Sequence, residues 1–412
     1  MYKTSLNRRL RHLAAPVLFA SGLLAAETAQ AAASCTPLPT AAKEAPFFQP
    51  AFEGQTGTCG VATRTDIEVT VVAKGLKRPW ALEPLPGGQW LVSEKGGRMR
   101  IVDATGKTGP VIKGVPKVDA RGQGGLLDIA LSPGFERDRT IYWSFTEPRE
   151  GGNGTSVARG VLSKDGSQLD QVKVILHTRP TYDNHMHYGS RLAFDNDGML
   201  FVTMGERSDL ETRPQAQQLD SHLGKVLRID PRTGAPAPDN PLLDESNVLP
   251  EIWTYGHRNV QAAAMDDKGR LWVVEHGPRG GDEVNLLQPG KNYGWPLQIY
   301  GIEYSGDRID TAKAQRPGMV QPVYYWDPVI APSGAQFYRS DAIPEWQGNL
   351  FIGAMRQARL VRLVIENDRV VGEEHLLTDR GQRIRDVRQG LDGAIYVVND
   401  DGELLRVGKA KQ

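Results

Sequence analysis

The 412-residue chain has only two cysteines and no surplus of charge of either sign, with 49 basic and 49 acidic residues. That balance leaves neither a nucleic-acid footprint nor an acidic tail. No apolar run reaches the roughly 20 residues that a membrane span needs. No glycine-rich fingerprint opens a βαβ unit, which argues against nicotinamide and flavin cofactors. No stretch beyond the N-terminal region carries a sustained helical period with caps, so helices cannot link the strands into a parallel sheet.

The N-terminus has Lys3, Arg8, Arg9 and Arg11, then an apolar run over 13–26, then small residues ending in Ala29-Gln30-Ala31. This pattern reads as a signal peptide over 1–31, and it places the mature protein in the periplasm or outside the cell. In an oxidising compartment the two cysteines, Cys35 and Cys59, are expected to form a disulfide that ties down the N-terminal extension. Lipid attachment at Cys35 is the alternative, but the preceding Ala32-Ala33-Ser34 lacks the usual leucine. Residues 32–65, with Pro37, Pro39, Pro46 and Pro50, read as an irregular extension.

What the chain has in abundance is glycine, 45 residues, and proline, 27, spread without period. Such usage suits an all-β protein with many turns. One unit recurs six times: an apolar strand, a turn with glycine, a second apolar strand. The copies span 80–92, 127–145, 192–204, 262–275, 335–352 and 387–398, with turns such as Asn196-Asp197-Gly198, Asp267-Lys268-Gly269 and Asp392-Gly393. Glycine turns between β-rich runs are hairpin signals. Six such units predict a six-bladed β-propeller of four-stranded antiparallel sheets over residues 66–412. A sandwich would want strands every 8 to 12 residues without long inserts. In a propeller the inserts gather on one face and build the site.

Three inserts carry more polar residues than solubility requires. The first, Asn184-His185-Met186-His187-Tyr188-Gly189-Ser190-Arg191, offers a histidine that could act as a general base, sit on the surface, or join its neighbour as a metal ligand. The second, Tyr255-Gly256-His257-Arg258-Asn259, pairs a planar cation with an amide, suited to an oxyanion or to a structural salt bridge. The third runs from Glu275 through Gly277, Pro278 and Arg279 to Asp282 and Glu283, followed by Asn292-Tyr293-Gly294-Trp295-Pro296. Its exposed carbonyls and carboxylates are the ligand types calcium prefers, although an acidic turn would read the same.

Together these segments resemble the soluble aldose sugar dehydrogenases of the glucose/sorbosone dehydrogenase family, which use pyrroloquinoline quinone (PQQ). The resemblance runs from about residue 76 to 407. It implies PQQ lying over the central cavity with a calcium ion, Ca2+, bridging cofactor and protein. By the same resemblance His187 is the general base, with His185 two residues too early, while Arg258 and Asn259 contact the quinone. The carbonyls of Gly277 and Pro278 match the calcium ligands at the cofactor, and Glu283 with Tyr293 a second, structural calcium site. Gln123 and Tyr304 look like cofactor contacts, as do the segments containing Ala331, Pro332 and Ser333, and Ala354, Met355 and Arg356. Arg356 stands where relatives often carry lysine. Arg383 and Arg385 resemble the arginines that pair with PQQ carboxylates.

The reaction so implied is oxidation of the C1 hydroxyl of an aldose to an aldonolactone, by a monomer or homodimer, with an unidentified electron acceptor. A calcium-dependent propeller lactone hydrolase and a non-catalytic sugar-binding propeller are the alternatives.

Overall fold

The recurring turns close as the glycines predict. Gly198 and Gly269 adopt φ of 78° and 72°, a backbone region open to glycine at little cost. Ahead of each, an aspartate caps the turn: Asp195 accepts the N–H groups of Asp197 and Met199, and Asp266 those of Lys268 and Arg270. A computed structural model describes residues 35–411, and the architecture below belongs to the unit that begins at Thr36. The signal-peptide segment 1–31 lies outside the described residues.

Six antiparallel sheets follow one another along the chain. The first blade comprises Pro79–Leu85, Gln89–Glu94, Arg98–Val102 and Thr108–Val111. The second comprises Leu126–Leu131, Thr140–Arg149, Gly152–Leu162 and Leu169–His177. The third takes Leu192–Phe194, Leu200–Thr203, Lys225–Ile229 and Ile252–Tyr255. The fourth takes Val260–Met265, Leu271–Glu275, Asp282–Leu286 and Tyr324–Trp326. The fifth takes Pro332–Phe337, Leu350–Ala354, Arg359–Glu366 and Arg369–Leu376. In the sixth, Ile384–Gln389, Ile395–Asn399 and Leu404–Lys409 are completed on the outside by Ile67–Ala73 from the other end of the chain. This is the six-bladed β-propeller read from the repeats. Each repeat supplies the two innermost strands of one blade.

Two local features differ from the sequence reading. Beyond the Pro133-Gly134 turn comes a short α-helix, Phe135–Asp138, before the second strand. The fifth sheet has an additional strand, Cys59–Gly60, laid parallel to Arg369–Leu376. Nearby, Thr63 donates through N–H and hydroxyl to the Glu374 carboxylate. Cys35 and Cys59 are both disulfide-bonded, as the sequence predicts, which occupies the thiol that lipid attachment would use.

Apolar clusters fill the wedges between blades. Leu126, Ile129, Trp143 and Phe145 of the second blade pack with Trp80, Ala81 and Met99 of the first, all nearly inaccessible. At the axis the packing turns ionic. Arg191, 1% exposed, donates to the carboxylates of Asp128 (2.8 Å) and Asp386 (2.9 Å) and to the carbonyls of Gln261 and Arg385. Its guanidinium also lies 4.2 Å from the Trp80 ring. One side chain leaving the third blade therefore reaches the first, second, fourth and sixth.

Candidate active site

In an antiparallel hairpin the entrance of the first strand and the exit of the second lie at the same end of the blade. The sequence-predicted site residues sit mainly at such points. Gln123, His187, Arg258, Asn259, Ala331 and Arg383 stand at or just before first strands; Gly277 and Met355 follow second strands.

His187 is buried, with its backbone at φ 45° and its N–H donating to Gln123 Oε1 (2.8 Å). Its Nδ1 lies 2.6 Å from Glu206 Oε1. A carboxylate there fixes Nδ1 as the donor and leaves Nε2, which has no hydrogen bond among the described residues, as the acceptor. Burial pushes the imidazole pKa below its usual value, the Arg258 charge adds to this, and Glu206 opposes both. The ring is thus kept neutral, the form a base needs. Gly205 permits the approach, since a Cβ there would run into the His187 carbonyl. His185 is placed differently: its ring is 4.0 Å from Asp183 and its carbonyl accepts the Gln123 N–H.

Arg258 extends over Trp295 (5.1 Å) toward Tyr304, whose hydroxyl is 3.4 Å from Nη2. Nη1 donates to the carbonyls of Gly277 (2.8 Å) and His276 (3.2 Å), while Nε is buried without a partner. Tyr304 itself is exposed, at 65%. The Asn259 amide oxygen accepts from Gly189 N–H and faces Gln261.

Bounded by Gln123, Tyr188, Gly189, Asn259 and His276 and reaching the sixth blade is a cavity of about 320 Å3; His187, Arg258 and Tyr304 are not among its lining residues. Four cations line it, Arg78, Lys95, Arg383 and Arg385, against one carboxylate, Asp400, a net of +3. Asp400 pairs with both Arg383 (2.8 Å) and Arg385 (2.9 Å). The chemistry fits an acidic, multiply carboxylated cofactor such as PQQ, because like charges gathered in one cavity need an anion. Met355, Gln123 and Asn259 also line the cavity. Ala354 and Ser333 are buried and do not line it; the Ser333 hydroxyl donates to Ile384 O. Pro332 O receives His276 Nε2 (2.6 Å). Arg356 is not among the lining residues: its guanidinium pairs with Glu44 of the N-terminal stretch at 3.0 Å.

A smaller void, about 20 Å3, lies beside Gly277, Pro278, Glu275, Glu283 and Tyr293. Glu275 and Glu283 are direct cross-strand neighbours, both buried. Two carboxylates so placed repel. Burial first, and then the Glu275 charge, push the Glu283 carboxyl well above its usual value. Glu275 has partners in His257 (2.8 Å), Arg258 N–H and Asn285 (3.1 Å), whereas among the described residues Glu283 receives only Asn285, at 3.3 Å. These carboxylates and carbonyls are the oxygen ligands a divalent cation takes, in a void that Arg258 also lines. The Tyr293 hydroxyl is engaged elsewhere, with Leu286 O and Gln288 N–H, so only its main chain is available to a metal. Asp282 is also committed: it accepts the N–H groups of Gly277, Ile330 and Ala331 and so ties the metal loop to the fifth-blade entrance. Burial pushes its carboxyl up to about 7 against the pull of those three donors.

Residues 76–406 match the family described as Glucose / Sorbosone dehydrogenase. The chain belongs to the glucose/sorbosone dehydrogenase family. This dehydrogenase is 44% identical over 352 residues to the aldose sugar dehydrogenase YliI of Escherichia coli (strain K12), covering 84% of this chain and 94% of that protein. The crystal structure of the soluble aldose sugar dehydrogenase from Escherichia coli in the apo-form superposes with a TM-score of 0.80, covering 84% of this chain and all of that one. The PQQ-bound form of an aldose sugar dehydrogenase from Streptomyces coelicolor, 31% identical, has a TM-score of 0.69, with 84% and 99% covered.

Sequence reasoning missed several residues of the dehydrogenase's site. Glu206 and Lys95 follow second strands of their blades, and Arg78 precedes a first strand, so the rule of strand ends would have found all three. None stands in a polar insert.

Proposed function

We propose that this dehydrogenase oxidises the C1 hydroxyl of aldose sugars to aldonolactones, using PQQ and calcium, in the periplasm or outside the cell. The observation that carries the reading is the buried His187–Glu206 pair beside a cavity with a net charge of +3. A neutral histidine oriented by a carboxylate is a competent acceptor for a hydroxyl proton. Bound cofactor and metal would supply, respectively, a two-electron acceptor for the hydride leaving C1 and a Lewis acid that polarises it.

The chain's own residues do the rest. His187 Nε2 takes the C1 hydroxyl proton, and Glu206 stabilises the imidazolium that results. Arg258, with Nε buried and unpartnered, presents a donor to negative charge developing on the acceptor. Arg383 and Arg385 hold carboxylates, while Gln123 and Asn259 fix the walls around the bound ring system. The carbonyls of Gly277 and Pro278 would hold the catalytic calcium, and Glu283 the structural one.

The test is dye reduction by the purified protein with glucose and other aldoses, before and after adding PQQ with calcium. Activity should appear only on reconstitution and disappear, with cofactor binding, after thorough chelation. If PQQ neither binds nor confers activity with any aldose, the reading fails. Glu206→Gln should lower turnover about 10- to 100-fold, the loss typical of an orienting partner. Because Glu206 raises the imidazole pKa, its loss should also shift the acid limb of the pH profile to lower pH. An unmoved limb with wild-type turnover would remove Glu206 from the mechanism.

A further inference from the structure

Two cavities meet on the first blade, the 320 Å3 cavity described above and an adjoining one of about 460 Å3. They share Arg78, Lys95 and Asp400. We propose that Arg78 and Lys95 form an oxyanion-binding site that takes a carboxylate, supplied either by the cofactor or by an acidic sugar. The proposal rests on the reading of the 320 Å3 cavity as the cofactor bed.

Every carboxylate nearby is already engaged. Asp400 is shared by Arg383 and Arg385. Glu94 takes Arg98 (2.8 Å), Arg100 (3.3 Å) and the Lys77 N–H. Asp119 is held by Arg121 (2.6 Å). The Arg78 guanidinium has no polar partner among the described residues, and Lys95 Nζ has only the Ala120 carbonyl, at 2.7 Å. Burial, then the charges of Arg78 and Arg385, pull the Lys95 ammonium down to about 8, the signature of a cation among cations without its anion.

The pair is also held rigidly. Lys95 N–H donates to Arg78 O (3.0 Å), and Lys95 O accepts from Leu126 N–H (3.0 Å) across to the second blade. Gly125 leaves room for that carbonyl, which a Cβ would strike. Arg78 adopts φ 53° immediately before Pro79, a conformation disfavoured for a residue with a Cβ and retained only where surroundings impose it. The two backbones are thereby fixed side by side, and Lys95 Nζ is also held by the Ala120 carbonyl. The sequence reading counted Arg356 among the cations of this bed, together with Arg258, Arg383 and Arg385; in the structure its guanidinium pairs with Glu44.

The experiment compares wild type, Arg78→Gln, Lys95→Met, Lys95→Arg and Arg356→Gln in three titrations. Calorimetry follows PQQ binding to the calcium-loaded protein and inorganic phosphate binding to the cofactor-free protein; KM is measured for glucuronate and glucose. Arg78→Gln and Lys95→Met should each weaken phosphate binding at least about tenfold, with Lys95→Arg restoring it and Arg356→Gln within about twofold of wild type. A parallel loss in PQQ affinity assigns the carboxylate to the cofactor; unchanged PQQ affinity with a raised KM for glucuronate alone assigns it to the sugar. Phosphate and PQQ affinities both within about twofold of wild type in Arg78→Gln and Lys95→Met would overturn the site, even while glucose oxidation stands. Loss of phosphate binding in a protein that never binds PQQ would instead sustain the site and sink the dehydrogenase reading.

Discussion

Replacing His187 with alanine should lower sugar-dependent dye reduction by about 10²- to 10⁴-fold, the range for removal of a general base. Affinity for PQQ should stay near wild type. The proposed roles are separate: His187 would offer its free Nε2 to a substrate proton, while Arg383 and Arg385, proposed to hold the cofactor carboxylates, stand on the sixth blade. The pH profile carries the same prediction. Burial and Arg258 hold the imidazole below its usual pKa, so the neutral base persists as pH falls toward 6.5, and the acid limb should appear only below that value. Turnover close to wild type in His187→Ala would end the assignment and make His185 the next residue to test.

Arg191→Ala should be the most damaging substitution for stability. Asp128 and Asp386, both wholly buried, would lose the cation between them. Breaking a buried ion pair by removing one partner costs about 3–5 kcal/mol, since the remaining charge stays desolvated. Arg388 softens the loss, at 3.1 Å from Asp386 and 3.5 Å from Asp128. It is already shared with Glu83. Arg191→Lys should fall between wild type and alanine, because an ammonium keeps the charge without the planar fork. Urea unfolding of the three proteins checks this. A loss below about 1 kcal/mol in Arg191→Ala would mean that water or Arg388 compensates fully.

The fold was legible because hairpin turns and period-two strands are local. Each of the six repeats near 80–92, 127–145 and onward marks an inner hairpin, and nothing distant is needed to see it. The join at the sixth blade was not legible, because pairing Ile67–Ala73 with Leu404–Lys409 spans the whole chain and leaves no local mark. The additional Cys59–Gly60 strand escaped for the same reason, in a proline-rich stretch with no alternation.

The site divided along similar lines. His187 and Arg258 stand in polar inserts and Gln123 came from the family resemblance, so all three were candidates from the sequence; Glu206, Lys95 and Arg78 stand at ordinary strand ends and were not. Arg356 shows the opposite error. Its position invited a cofactor contact, yet Glu44, more than 300 residues away, holds its guanidinium. Arg191 was noticed only as part of a motif, although its contacts are those of a structural hub.

The shared sixth sheet also orders events during synthesis. Its outer strand leaves the ribosome first and its inner three last, so five blades can form before the ring has a partner for Ile67–Ala73. Until residues 384–409 emerge, the flanks of the first and fifth blades present apolar surface to solvent, including Leu82 and Leu360. A ribosome that stalls late therefore releases an open crescent with two sticky faces, an obvious substrate for chaperones and proteases.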